Sequence, residues 1–163
     1  RAGQRPNSVI PPVNRVPSVT GRVLFSSGSV EVFVHATEDD AKIRKALAQI
    51  LPPSVELTSS TLTGHFGNPI LALRAKLDKK QASELWQRIT AGVNASELKR
   101  ALAQRVDDSG TLYLRLDKQR ACEGILALTE GGDAIHVKLR ISARGGGPDT
   151  VRELLDVLRE DLG

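Results

Sequence analysis

The sequence predicts an α+β fold: a two-layer domain with a mainly antiparallel sheet and helices packed on one face. Three observations lead there. Segments that alternate apolar and polar residues recur at 30–36, 70–77, 112–117 and 134–143. Between them lie stripes of helical period, and the order of elements is strand, helix, two strands, two helices, three strands, helix rather than the regular alternation of a parallel sheet. At 163 residues, 40% hydrophobic and 26% charged, the chain is long enough for one sizeable core.

Val30, Val32, Val34 and Ala36 alternate with Glu31, Phe33 and His35, a strand with an aromatic on its less apolar face. Thr37 then caps a helix striped by Ile43, Leu47, Ile50 and Leu51, with Asp40 at the capping-box position and Pro52-Pro53 as the stop. Val55 to Thr63 forms the second strand and Ile70 to Leu77 the third, joined by Gly64-His65-Phe66-Gly67-Asn68-Pro69. In that turn the glycines permit positive φ, and Asn68 is suited to close an Asx-type turn. His65 either braces this loop or touches a phosphate or base.

Asp78 caps a helix with Ala82, Leu85, Trp86 and Ile89 on its inner side, ended by Gly92, and Asn94 caps another with Leu98, Ala101 and Leu102 inward. The strand Leu112-Tyr113-Leu114-Arg115-Leu116-Asp117 runs into a charged corner of Lys118, Gln119 and Arg120. Further strands follow at Ile125 to Thr129 and Ala134 to Ala143. Gly145 to Gly147 form a break without the lysine and hydroxyl residue of a phosphate loop, and Val151, Leu154, Leu155, Leu158 and Leu162 stripe a last helix.

Residues 1–28 form a basic, proline-rich arm, and 29–163 a single domain. The net charge of +4 resides in the arm: Arg1, Arg5, Arg15 and Arg22 are four of the 23 Lys and Arg, and the rest equal the 19 Asp and Glu, which begin at Glu31. The arm reads either as a nucleic-acid arm or as a linker or tail packed on the domain or a neighbouring subunit. One cysteine, Cys122, fits a reducing compartment, and no apolar run is long enough to span a membrane, so a cytoplasmic location is expected.

If pleat and register cooperate, Phe33, His35, Arg74, Lys76, Tyr113, Arg115, His136, Lys138 and Arg140 share the sheet face away from the helices. Cations there suit phosphates and rings suit stacking; the alternatives are a subunit interface or a solvated face. His35, His65 and His136 are too widely separated for a zinc pattern, and Asp117, Lys118 and Glu123 make a poor hydrolytic centre. No enzyme, metal or cofactor is expected.

VEVFVHATED (30–39), GHFGNPI (64–70), LYLRLDKQ (112–119) and GGDAIHVKLRI (131–141), in this order and spacing, resemble the archaeal RNA-binding proteins described as exosome-associated. The resemblance implies a fold similar to a large-subunit ribosomal protein that binds ribosomal RNA, and a non-catalytic role in RNA processing or ribosome-related metabolism. The expected RNA contacts are Arg74, Arg115, Lys118, Lys138 and Arg140 to the backbone, Tyr113 and Phe33 as stacking groups, and His65 with Asn68 from the loop. Besides RNA, a second copy of the chain and an RNA-processing complex are the expected partners. The alternative function is an assembly protein that uses the sheet face or the last helix as a protein interface.

Overall fold

The computed structural model describes residues 25–142 and 156. The proline-rich arm, the Gly145 to Gly147 break and the leucine stripe of the last helix lie outside the described residues. Within them the order is β1 (Phe25–Val34), α1 (Asp40–Ile50), β2 (Leu57–Thr63), β3 (Pro69–Leu77), α2 (Lys79–Gly92), α3 (Ala95–Gln104), β4 (Thr111–Asp117), α4 (Lys118–Cys122) and β5 (Ala134–Ile141). The five strands form one sheet in the order β2-β3-β1-β5-β4, antiparallel at every pairing, with the helices against one face. The α+β architecture is therefore the one its alternating segments predict.

The pleat sorts most of β1, β3, β4 and β5 into a buried and an outer side, whereas β2 is exposed along nearly all its length. Val30, Val32 and Val34 of β1, Leu73, Ala75 and Leu77 of β3, Leu112, Leu114 and Leu116 of β4, and Ile135, Val137, Leu139 and Ile141 of β5 enter one core. Ile43 and Leu47 of α1, Leu85, Trp86 and Ile89 of α2, and Leu98 and Leu102 of α3 close it from the helical side. A register shift between Phe25 and Ser27 brings Phe25 inward although its parity would put it outside. Its ring reaches Trp86 with a centroid separation of 5.5 Å.

Capping explains where the helices begin. Asp78 and Gln81 form a reciprocal capping box at α2, and Asn94 Oδ1 accepts from the Ser96 and Glu97 N–H groups at α3. At α1 the cap is Asp39, whose carboxylate accepts from the Ala41 N–H at 3.0 Å, rather than Thr37. The chain first turns through a Glu38 N–H to His35 O bond, which ends β1 at Val34 and leaves His35 and Ala36 outside the strand. β1 also starts four residues before the Ser29 boundary expected for the domain.

Two further segments differ from expectation. Residues 125–129 are not a strand of the sheet; they lie along the edge of β4, where the Asp117 N–H donates to Ala127 O and the Thr129 N–H donates to Arg115 O. Leu126 and Leu128 pack on the core from there, so the segment is apolar because it seals an edge. The charged corner after β4 is the short helix α4, capped by Asp117, which accepts from the Arg120 N–H at 2.9 Å.

Gly28 sits where the sheet leaves no room for a side chain. A Cβ there would lie 2.9 Å from Leu139 Cδ2, 3.0 Å from the Lys138 carbonyl oxygen and 3.2 Å from Leu77 Cδ1. Gly28→Ala should therefore destabilise the domain by about 1–3 kcal/mol through overpacking. Urea unfolding monitored at Trp86 measures this, and an unchanged midpoint would show that β1 and β5 separate easily.

Candidate nucleic-acid interface

The sheet face opposite the core carries no described helix, and its strand register arranges its side chains in rows. From the Gly28 end, the first row is Ser27, Arg140 and Thr111. Next come Lys76, Ser29, Lys138 and Tyr113, then Thr58, Arg74, Glu31, His136 and Arg115. Ser60, Ala72 and Phe33 follow, and Leu62 beside Ile70 leads to the hairpin tip. Cations crowd one end of the face, and apolar groups the other.

The proposed cations differ in availability. Lys138 and Arg140 are exposed and, among the described residues, in no ion pair; Lys76 shares both properties, although it stood outside the expected contact set. With Ser27, Ser29 and Thr111 these three surround a shallow depression of about 360 Å³. Arg74 is held by Glu31 and Ser60, which neutralises much of its charge locally. Arg115 spends one N–H on the Glu130 carbonyl at 3.0 Å, while Glu130 itself pairs with Arg105.

Tyr113 is anchored rather than loose. Its hydroxyl donates to Asp107 at 2.8 Å, and the Lys138 ammonium stands 5.8 Å from its ring centroid. The Ser109 hydroxyl, the Thr111 N–H and this phenol hold the Asp107 carboxyl well below the usual carboxylate range, and Asp107 in turn raises the Tyr113 pKa. Beyond Tyr113 the face continues into a groove of about 620 Å³ at the β4 edge, where Arg100, Arg105 and Arg115 mix with Glu97, Asp107 and Glu130.

Lys118 requires a correction. Expected to meet a phosphate at the strand end, it is 2% exposed. Its Nζ donates to the Phe33 carbonyl at 2.8 Å, Glu38 Oε1 at 2.9 Å and Asp133 Oδ1 at 2.7 Å, which uses the three donors of an ammonium. The physical reason is parity: Leu112, Leu114, Leu116 and Lys118 fall on the same side of the pleat. Partial burial pulls the Glu38 carboxyl up, but the His35 N–H and Lys118 outweigh it and hold it below its ordinary value. At Asp133 the same contest ends the same way, with Lys118 and His35 opposing burial.

His35, Glu38 and Asp133 place one potential ligand atom each within 4.8 Å of one another, the kind of cluster that holds a cation. Here the Lys118 ammonium bonds two of the three, so the protein supplies that cation itself. The imagined hydrolytic trio does not converge: Asp117 caps α4, Glu123 lies near Arg120, and Lys118 points into the core.

The remaining expected contacts are at the hairpin tip. Asn68 serves the loop through its carbonyl, which accepts from the Gly64 N–H at 2.7 Å, and His65 lies in a T-shaped contact with Phe66 at 4.7 Å. Phe33 is half-buried on the outer face, in register with Ala72. Sequence reasoning omitted Phe66, which is the most exposed of the large hydrophobic residues described; a bulky ring inside a Gly-rich turn, with no apolar partner in sequence, was the available signal.

A family model described as RNA binding matches residues 29–141. The chain belongs to this RNA-binding family. Its relatives include the RNA-binding protein PAB1135 of Pyrococcus abyssi, 32% identical over 134 residues, or 77% of this chain and 87% of the relative. The family fold is also seen in the crystal structure of AF2318 from Archaeglobus fulgidus (TM-score 0.70, 31% identity, covering 84% of this chain and 99% of that one). Mth689 of Methanothermobacter thermautotrophicus, a DUF54 protein, is similar (TM-score 0.69, 31% identity, 86% and 99% coverage). All three relatives are archaeal. Among the described residues of this family member, no helix is long and apolar enough to cross a membrane.

Removing the Lys118 charge should be costly. Lys118→Met leaves the Glu38 and Asp133 carboxylates and the Phe33 carbonyl without their shared donor, a loss of about 3 kcal/mol, the low end for a broken buried pair because Asp133 reaches solvent. Both carboxyl pKa values are lowered, so their contribution is complete above about pH 4.5 and disappears as pH falls through the lowered values. Urea unfolding from pH 7 to pH 3 should therefore show a steeper acid loss in the wild-type protein than in Lys118→Met. Parallel curves would mean that the carboxylates do not depend on Lys118.

Proposed function

We propose that this protein binds structured RNA without catalysing a reaction, through the sheet face opposite its helices. The observation that carries the reading is the cationic end of that face, where Lys76, Lys138 and Arg140 converge from β3 and β5 with no ion pair among the described residues. Their common side means that one ribose-phosphate strand can meet all three. Membership of the RNA-binding family supports the same polymer, and PAB1135 carries RNA binding in its name.

The chemistry favours shape and phosphate contacts over base-edge readout. Lysines are rotatable point charges that follow a backbone without demanding one sequence, and three cations around a shallow depression fit an extended polyanion better than an enclosed small molecule. Arg115 adds its remaining donors, and Tyr113 offers a half-exposed ring already held by Asp107. Arg74 contributes only when phosphate competes successfully with Glu31. A setting in RNA processing, and assembly with a second copy or a processing complex, belong to the same proposal.

Salt dependence of binding tests the face directly. Changing Lys76, Lys138 or Arg140 to Gln should each reduce the magnitude of the logarithmic salt slope by about one, with similar losses across RNA sequences. Lys42→Gln, exposed on α1, should leave the slope unchanged. Equal effects from the α1 and sheet substitutions would move the interface away from this face, and normal RNA binding with lost self-association would make it a protein interface.

A further inference from the structure

The polar hairpin that precedes β3 ends in an aromatic group that no core contact explains. Phe66 is 86% exposed, yet its loop is tightly built. The Gly64 N–H donates to Asn68 O at 2.7 Å, the Gly67 N–H donates to Gly64 O at 3.0 Å, and Gly67 takes φ +83°, a conformation that side chains rarely tolerate. His65 abuts the Phe66 ring at an interplanar angle of 82°. A ring left in water costs solvation free energy, and a loop this constrained holds it there.

The tip continues a gradient along the outer face. Past the Lys76 and Lys138 row and the row in which Arg74 pairs with Glu31, the polarity falls through Phe33 to Leu62, 40% exposed, and Ile70, beyond which the turn carries His65 and Phe66. Seven residues of β3 separate Lys76 from Pro69, roughly 23 Å of strand. Phosphates suit the first end. The second offers ring and aliphatic surface, with Phe66 and Leu62 among the exposed large hydrophobic residues described.

We infer that Phe66, supported by His65, is a stacking platform for an unpaired nucleobase of the RNA whose backbone lies on the cationic end. The inference rests on the proposed RNA-binding function and adds a substrate class to it: RNA in which a single-stranded loop or bulge lies beyond roughly 23 Å, the length of β3, from a backbone segment that meets Lys76, Lys138 and Arg140. Charge continuity selects this occupant. An apolar protein partner would gain from Phe66 and Leu62 but not from the cations farther along the sheet, whereas a nucleotide chain uses both. Base stacking on an aromatic ring tolerates any base, so the platform confers recognition of unpaired structure without a sequence preference.

The test uses the full chain and two RNAs with equal numbers of phosphates: a stem–loop carrying 2-aminopurine in its loop and a fully paired duplex. Fluorescence titration should show that Phe66→Ala weakens stem–loop binding about 5- to 150-fold, with the salt slope unchanged and duplex binding within about twofold of wild type. Phe66→Tyr should restore stem–loop affinity, and Phe66→Leu should behave like the alanine variant because it lacks a ring. Wild-type affinity in Phe66→Ala, with Lys138→Gln still weakened, would overturn the platform and leave the RNA-binding face standing. Equal losses for duplex and stem–loop would also overturn it, as would intact RNA binding with lost self-association in sedimentation. Failure of the unmodified protein to bind either RNA would remove the platform and the broader function together.

Discussion

The buried ammonium of Lys118 is the constraint on which the rest of the described structure depends. It lies where β4 passes into α4 and binds the end of β1 through Phe33 O, the turn before α1 through Glu38, and the entry to β5 through Asp133. A buried charge is tolerable only when it is paired and hydrogen-bonded, so these segments cannot slide independently. Sheet geometry transmits the consequence. With Lys118 inward, Leu112, Leu114 and Leu116 are inward and Tyr113 and Arg115 outward, and a slip of one residue in β4 would exchange the two sets.

That fixed pleat separates two chemistries on a thin sheet. One side is aliphatic and covered by α1, α2 and α3; the other carries Lys76, Lys138, Arg140 and Tyr113 at one end and Phe33 and Leu62 toward the hairpin whose tip displays Phe66. On the outer face Glu31 is paired with Arg74, whereas Lys76, Lys138 and Arg140 have no ion pair among the described residues. Ion pairing thus decides which of several similar cations remain available. Composition cannot show this, because the basic and acidic residues beyond the first four arginines are equal in number.

The alternating strands and the caps at Asp78 and Asn94 were legible because each follows from local periodicity or a local hydrogen bond. The choice between Thr37 and Asp39 was not, since it depends on the His35 to Glu38 turn, which takes up Thr37. Residues 125–129 looked like a strand because edge-sealing and sheet-forming segments bury apolar residues alike. The charge of Lys118 points to the surface, whereas its parity with Leu116 points inward, and the parity prevails. In sequence, His65 and Asn68 stand out over Phe66 because polar groups are the usual bearers of function in a turn. In the structure those two residues form the loop, and the phenylalanine is what the loop displays.

The central claim is that RNA lies on the outer face of this sheet and not on its helices. Ultraviolet crosslinking of the full chain to a structured RNA, followed by mass spectrometry of the crosslinked peptides, tests that placement residue by residue. Crosslinks should concentrate on Tyr113, on the Lys138 to Arg140 stretch of β5, on Lys76 and on the His65-Phe66 tip. Crosslinks concentrated on the exposed residues of α1 and α2, with those positions unmarked, would contradict it.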